Sequence, residues 1–164
     1  NAGTKEGETK NILKKVRYLD LKDLVVKEKM NEDLELEYRN SYFQKNKNKI
    51  ILKAWFQLGP GVRANIRQIM DESKARRWAR QPREYPNSGS VFKRPTGKFV
   101  GPMIDELGLK GYTIGGAQVS KKHSGFIVNL GNATGKDILE LIQYVQEKVL
   151  QKFKVNLEVE QRII

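Results

Sequence analysis

The Ser90 hydroxyl lies in Tyr85-Pro86-Asn87-Ser88-Gly89-Ser90-Val91-Phe92-Lys93-Arg94-Pro95, the stretch of this sequence in which turn formers, hydroxyls and cations are most concentrated. Prolines at both ends restrict φ, and Gly89 opens a backbone conformation that other residues avoid. Such a segment can present Ser90 at the mouth of a cleft, start a strand with Val91 and Phe92, and bring Lys93 and Arg94 close enough to bind an anion. The same residues also read as a turn feeding a strand, with cations that are merely solvated. Both readings stand on these residues alone.

The elements that must position this stretch come from a chain of 164 residues, enough for one ordinary domain or for a small domain plus part of another. There are no cysteines and one histidine, which removes disulfides and thiolate metal sites, makes a protein-built transition-metal centre improbable, and suits a reducing, cytosolic compartment. No apolar run approaches the roughly 20 residues of a membrane span, and no charged-then-apolar leader opens the chain. A formal net charge of +12 points to anionic partners. Nucleic acid and phosphorylated small molecules both fit, but the cations are scattered among acids without a basic-aromatic repeat. The first residue is Asn1 rather than methionine, in what reads as a turn, so a missing N-terminal portion is expected.

Asn1-Ala2-Gly3-Thr4-Lys5-Glu6-Gly7 reads as a glycine-bearing loop, residues 12–19 as a strand and 24–27 as a second. Asn31 is expected to cap a short acidic turn, and Lys45 to Lys49 to form a solvated hairpin loop. Residues 50–58 alternate as a strand with Ile50, Leu52, Ala54, Phe56 and Leu58 on its apolar face, so Phe56→Ala is expected to cost about 3 to 5 kcal/mol. Gly59-Pro60-Gly61 ends it and marks a domain boundary. A helix is expected from Val62 to about Ala79, with Val62, Ile66, Ile69 and Met70 on one face. Pro102 opens a short helix that Gly108 stops, and short strands follow over 112–114, 117–119 and 126–130. Thr134 and Asp137 form a capping box for a helix whose stripe of Ile138, Leu141, Ile142, Val145, Val149 and Phe153 is core. Phe92 and Phe126 read as core too, and a last strand is expected from Val155.

Laid out in order, Tyr38-Arg39-Asn40-Ser41, residues 85–95, Gly108-Leu109-Lys110-Gly111-Tyr112-Thr113-Ile114-Gly115-Gly116-Ala117-Gln118-Val119-Ser120, Lys122-His123-Ser124-Gly125-Phe126-Ile127-Val128-Asn129 and Leu157-Glu158-Val159-Glu160-Gln161-Arg162-Ile163-Ile164 resemble the flavoenzyme family of UDP-N-acetylenolpyruvoylglucosamine reductases (MurB). The resemblance implies an α+β fold: residues 1–58 as the C-terminal part of an α/β FAD-binding domain, 59–154 as a substrate-binding domain, and 155–164 as a strand returning to the active site. It implies a cytoplasmic enzyme of peptidoglycan synthesis that uses FAD and NADPH, with UDP-N-acetylenolpyruvoylglucosamine as substrate and neither nucleic acid nor membrane as partner. Carried over by motif, Ser90 is the proton donor, Arg39 pairs with the substrate carboxylate, and Glu160 is the second catalytic acid. Tyr38, Lys93, Arg94, His123 and Arg162 line the sugar-nucleotide pocket, and Asn1 and Gly3 fall on the flavin side; no metal is implied. Thr4, Lys5 and Glu6 depart from the family's flavin loop, and the glycine-rich first half of its FAD domain has no counterpart, so the chain is expected not to retain FAD alone. A noncatalytic UDP-sugar-binding module and a basic nucleic-acid-binding domain are the alternative readings.

Overall fold

The computed structural model describes Gly3 and residues 7–162, and the chain divides into two compact units, Asn1–Val62 and Arg63–Ile164. Helices and antiparallel sheets make it α+β, as the sequence implies. Among the described residues no helix is long and apolar enough to cross a membrane, and no group of three His, Cys, Asp or Glu side chains could hold a metal.

In the first unit, β1 (Leu13–Asp20) is the middle strand of an antiparallel sheet with β2 (Val25–Met30) on one side and β3 (Lys49–Phe56) on the other. Leu13 and Val16 pack with Leu34, Leu36, Phe43 and Ala54, burying one face. On the opposite face Lys15 and Arg17 hold Glu28 at 2.6 and 2.7 Å, and their cationic ends lie 4.4 and 5.2 Å from the Trp55 ring. Asn31 does not cap the 3-10 turn Asn31–Leu34; its amide donates to the carbonyls of Lys10 and Leu13 at 2.7 Å each. A short helix, α1 (Tyr42–Lys45), precedes β3.

The expected face of β3 is corrected by its pairing. Val16 is opposite Ala54 and Arg17 opposite Lys53, but Tyr18 is opposite Ile51, so the register slips at Leu52. A bulge of this kind reverses which residues share a face, because side chains alternate with period two. By register Lys49 and Ile51 fall on the face of Ala54 and Phe56, and Ile50 and Leu52 on the other, yet Ile51 and Phe56 are each 53% exposed and Ile50 and Leu52 about as open, so of the expected face only Ala54 packs in the cluster. Lys49 is not the solvated loop residue expected from its neighbours. Its ammonium is buried against the Asp20 carboxylate at 2.7 Å, which also accepts from Lys27 at 3.1 Å. Hydrogen bonds from Lys49 first, then from the Lys22 amide and Lys27, hold the Asp20 carboxyl far below its ordinary range.

In the second unit, α2 (Arg63–Arg80) forms where the sequence predicts a helix, and Ile66, Ile69 and Met70 of its apolar face are exposed. The core lies further on. The helix α4 (Gly135–Phe153) buries Leu141, Ile142, Val145 and Val149 in one cluster with Ala117 and Val119 of the sheet and with Met103 and Ile104 of α3 (Val100–Glu106). The sheet runs β4 (Thr113–Ile114), β5 (Ala117–Val119), β6 (Ile127–Asn129), all antiparallel. Phe92 and Phe126 are buried, as expected.

The capping box at the start of α4 also forms as predicted: Asp137 N–H donates to Thr134 Oγ1 at 3.1 Å and Thr134 N–H to Asp137 Oδ2 at 2.9 Å. That carboxylate takes a further hydrogen bond from the Gly116 N–H at 3.3 Å, tying the helix start to the β4–β5 turn. A Cβ on Gly116 would fall 2.3 Å from the Ala133 backbone nitrogen, so only glycine permits this approach.

Candidate functional site

Two elements distant from it in sequence, one at Gly125 and Phe126 and the other at Glu158 to Glu160, hold the Ser90 segment between them. On one side Ser90 pairs with Phe126 and Val91 N–H donates to the Gly125 carbonyl at 2.9 Å. On the other Phe92 pairs with Val159, Lys93 N–H donates to Glu158 at 2.8 Å, and Glu160 N–H donates to Val91 at 2.8 Å. The strand expected from Val155 is reduced to this pairing, which sets Glu160 opposite Val91, the residue after Ser90. Val91 anchors the segment with 1% of its surface exposed, while Ser90 remains open to solvent.

The cations are less free than their spacing implies. The Lys93 ammonium is paired with the Glu158 carboxylate, and the Arg94 guanidinium lies 3.8 Å from the centre of the Phe99 ring. Any anion binding at Lys93 must therefore compete with Glu158. His123 accepts the Gly125 N–H on Nδ1 at 3.1 Å and packs edge-on to Phe126 at 4.8 Å. Partial burial pushes its pKa below the ordinary 6.5, which keeps the imidazole neutral and able to accept that bond. His123 thus shapes the strand beside Ser90 whatever else it contacts.

Arg162 lines an open groove of about 480 Å³ together with Ser88, Gly135, Ile138, Leu139, Ile142 and Gln161. Its floor is the apolar start of α4, with polar groups at the rim. Reading the sequence missed Ser88 and Gln161 here, although both lie within the motifs that carry the resemblance.

Tyr38 and Arg39 belong to the first unit, at the tip of a tight turn closed by Glu37 N–H to Asn40 O at 3.1 Å and the reverse bond at 3.2 Å. Arg39 has φ 55°, a left-handed conformation uncommon for a side chain of its size. Its guanidinium lies 5.0 Å from the Tyr38 ring, and Tyr38 is 57% exposed. Strain of this kind is held where the surrounding structure enforces it, here by the two Glu37–Asn40 backbone bonds that close the turn around Arg39.

On the flavin side Asn1 lies outside the described residues. Gly3 pairs with Glu8, whose Cγ stands 3.1 Å from where a Cβ on Gly3 would be. The Glu8 side chain thus occupies the space beside Gly3, and Thr4, Lys5 and Glu6 lie outside the described residues.

The family model for the C-terminal domain of UDP-N-acetylenolpyruvoylglucosamine reductase matches residues 81–164. The chain belongs to the MurB family. It is 51% identical over its whole length to the reductase of Latilactobacillus sakei, covering 54% of that protein, and 45% identical to that of Clostridium perfringens, covering 53%. The MurB family also supplies a similar solved structure, the crystal structure of the reductase from Thermus caldophilus, with TM-score 0.84 and 34% identity over 99% of this chain and 56% of that one. The chain therefore spans about half the length of the curated relatives it matches.

Proposed function

We propose that this chain supplies the substrate side of a MurB reductase, which reduces the enolpyruvyl ether of UDP-N-acetylenolpyruvoylglucosamine to the lactyl ether of UDP-N-acetylmuramate in cytoplasmic peptidoglycan synthesis. In this reading residues 1–58 end a flavin-binding domain, 59–154 form the substrate domain and 155–164 close the site. The observation that supports it most is the pairing of the Ser90 segment with the Glu160 strand in a chain of this family.

When bound in the complete enzyme, the family's FAD, recharged by NADPH, would supply the hydride that the enolpyruvyl C3 accepts. The chain's own residues handle the charge and the proton. As C3 gains hydride, the C2=C3 electron pair moves onto C2 and its carboxylate, and the planar, always charged Arg39 guanidinium suits that enolate. The proton then passes from Ser90 Oγ to C2. A hydroxyl is a weak acid, but the acceptor is a strongly basic carbon and Lys93 follows three residues on. Glu160 is the second acid beside it. Arg94, Arg162, His123 and Tyr38 contact the sugar nucleotide, where cations and donors hold its diphosphate.

Ser90→Ala in the holoenzyme containing this chain is expected to leave flavin reduction by NADPH intact and to slow reoxidation by substrate at least about 10²-fold, the contribution of a positioned general acid. Stopped-flow absorbance resolves the two half-reactions. Reoxidation at the wild-type rate removes Ser90 from this role, and equal slowing of both steps points to misfolding instead.

A further inference from the structure

We propose that Asn87 is a positioning residue that sets the Ser90 hydroxyl, an inference resting on the proton-donor reading of Ser90. The Asn87 amide nitrogen donates to the carbonyls of Pro82 at 2.7 Å and Tyr85 at 2.9 Å, while its Oδ1 accepts the N–H of Gly89 at 3.1 Å. The orientation of the amide is forced, because one end faces two acceptors and the other faces a donor. One side chain thus ties together residues 82, 85 and 89, and the next residue is Ser90.

The two ends of this loop are fixed independently of Asn87. Asn129 N–H donates to the Pro86 carbonyl at 2.9 Å, and Ser90 pairs with Phe126 on the same stretch of chain. Between those anchors Gly89 sits at φ 83° with no atom within 4 Å of where its Cβ would be. Glycine at such an open position can rotate unless its N–H is held, and Asn87 holds it. Removing Asn87 therefore leaves the anchors and the buried Val91 in place but frees the turn that leads into Ser90. A displacement of about 1 Å at a reacting group is enough to cost about 10²-fold in rate.

The chemistry of the carboxamide provides the test. Asn87→Ala removes all three bonds. Asn87→Asp keeps the acceptor but loses both donors while ionised; once protonated, it regains one O–H donor and keeps an acceptor. In the holoenzyme, Asn87→Ala is expected to slow substrate-driven flavin reoxidation about 10²-fold with flavin reduction and substrate affinity nearly unchanged. Asn87→Asp is expected to be slow at pH 8 and to recover relative to wild type as pH falls through the introduced carboxyl. In the chain alone, without flavin, faster amide hydrogen exchange at Gly89 in Asn87→Ala reports the loosened turn.

Wild-type reoxidation in Asn87→Ala beside slow Ser90→Ala overturns this inference alone, as does an Asn87→Asp to wild-type ratio that is flat with pH. Fast Ser90→Ala removes the donor reading and this inference with it. If Asn87→Ala does not fold, the pH ratio of Asn87→Asp and its Gly89 exchange decide.

Discussion

In the first unit the inward face of β1 sets Leu13 and Val16 over Leu34, and its far end sets Asp20 between two lysines; in the second, α4 lays four buried aliphatic side chains onto a sheet and a neighbouring helix. The first is fastened largely by charge and hydrogen bonds along its strands, with Ile50, Leu52 and Phe56 left about half exposed. The second is fastened by close packing, and the Ser90 segment is strung across that packed body through Val91 and Phe92. A reacting hydroxyl gains from such a mounting, since a close-packed interior has low compressibility and holds its side chains in defined rotamers. The contrast also separates what periodicity can reveal from what it cannot.

The largest expected effect is in the second unit. Leu141→Ala removes a fully buried side chain from α4 and is expected to cost about 2 to 5 kcal/mol, read by urea titration of the helical circular dichroism. A loss below about 1 kcal/mol would mean that α4 is not the main fastener. In the first unit the corresponding breaking point is Asp20. Its pKa is depressed from an ordinary 3.8, so the ionised form is favoured by folding: the stabilisation is complete above that value and is lost as pH falls toward the depressed folded value. Asp20→Asn should therefore lower the melting point of the first unit at pH 7 and flatten its dependence below about pH 4. Fluorescence of Trp55 with Trp78 replaced by Phe isolates that unit, and an unchanged acid limb would show that the two lysines do not hold it.

Smaller effects sharpen the comparison. Thr134→Ala removes the side-chain half of the capping box and is expected to cost about 0.5 to 2 kcal/mol, by the same urea titration. Phe56→Ala, with its ring half exposed, is expected to cost only about 1 kcal/mol or less. A cost of about 3 to 5 kcal/mol there would restore the buried face that simple alternation predicts.

The parts of the fold legible in the sequence are those whose signal is local. Thr134 and Asp137 lie three residues apart and their box forms; the α4 stripe repeats at helical spacing and its middle is buried. The face of β3 was not legible, because a bulge at Leu52 arises from pairing with β1 and leaves no mark in the alternation of β3 itself. The helix α2 was legible as a helix, but an apolar stripe does not say whether anything covers it, and Ile66, Ile69 and Met70 lie exposed. Asp20 and Lys49 are 29 residues apart and neither neighbourhood hints at the other. For the candidate site, Ser90 stood out from its own turn chemistry, whereas Glu160 and Arg39 were reached only through resemblance. Asn87 was overlooked for a physical reason: asparagine in a turn is so ordinary that its particular partners cannot be read without the backbone.

The pairing of Lys93 with Glu158 joins positions 65 residues apart, and it has a consequence for the order in which this protein is made. A ribosome releases the chain from the N-terminus at roughly 5 to 20 residues per second, and the first unit can close on itself while the rest is still being synthesised. The Ser90 segment cannot. Its outer neighbour emerges only after the whole of α4, so the carbonyl of Val91 waits for the N–H of Glu160 through most of the second unit's synthesis. In the nascent chain the helix and its sheet can be assembled while Ser90 still lies on an open edge, and this pairing is completed only when Glu158 to Glu160 leave the tunnel.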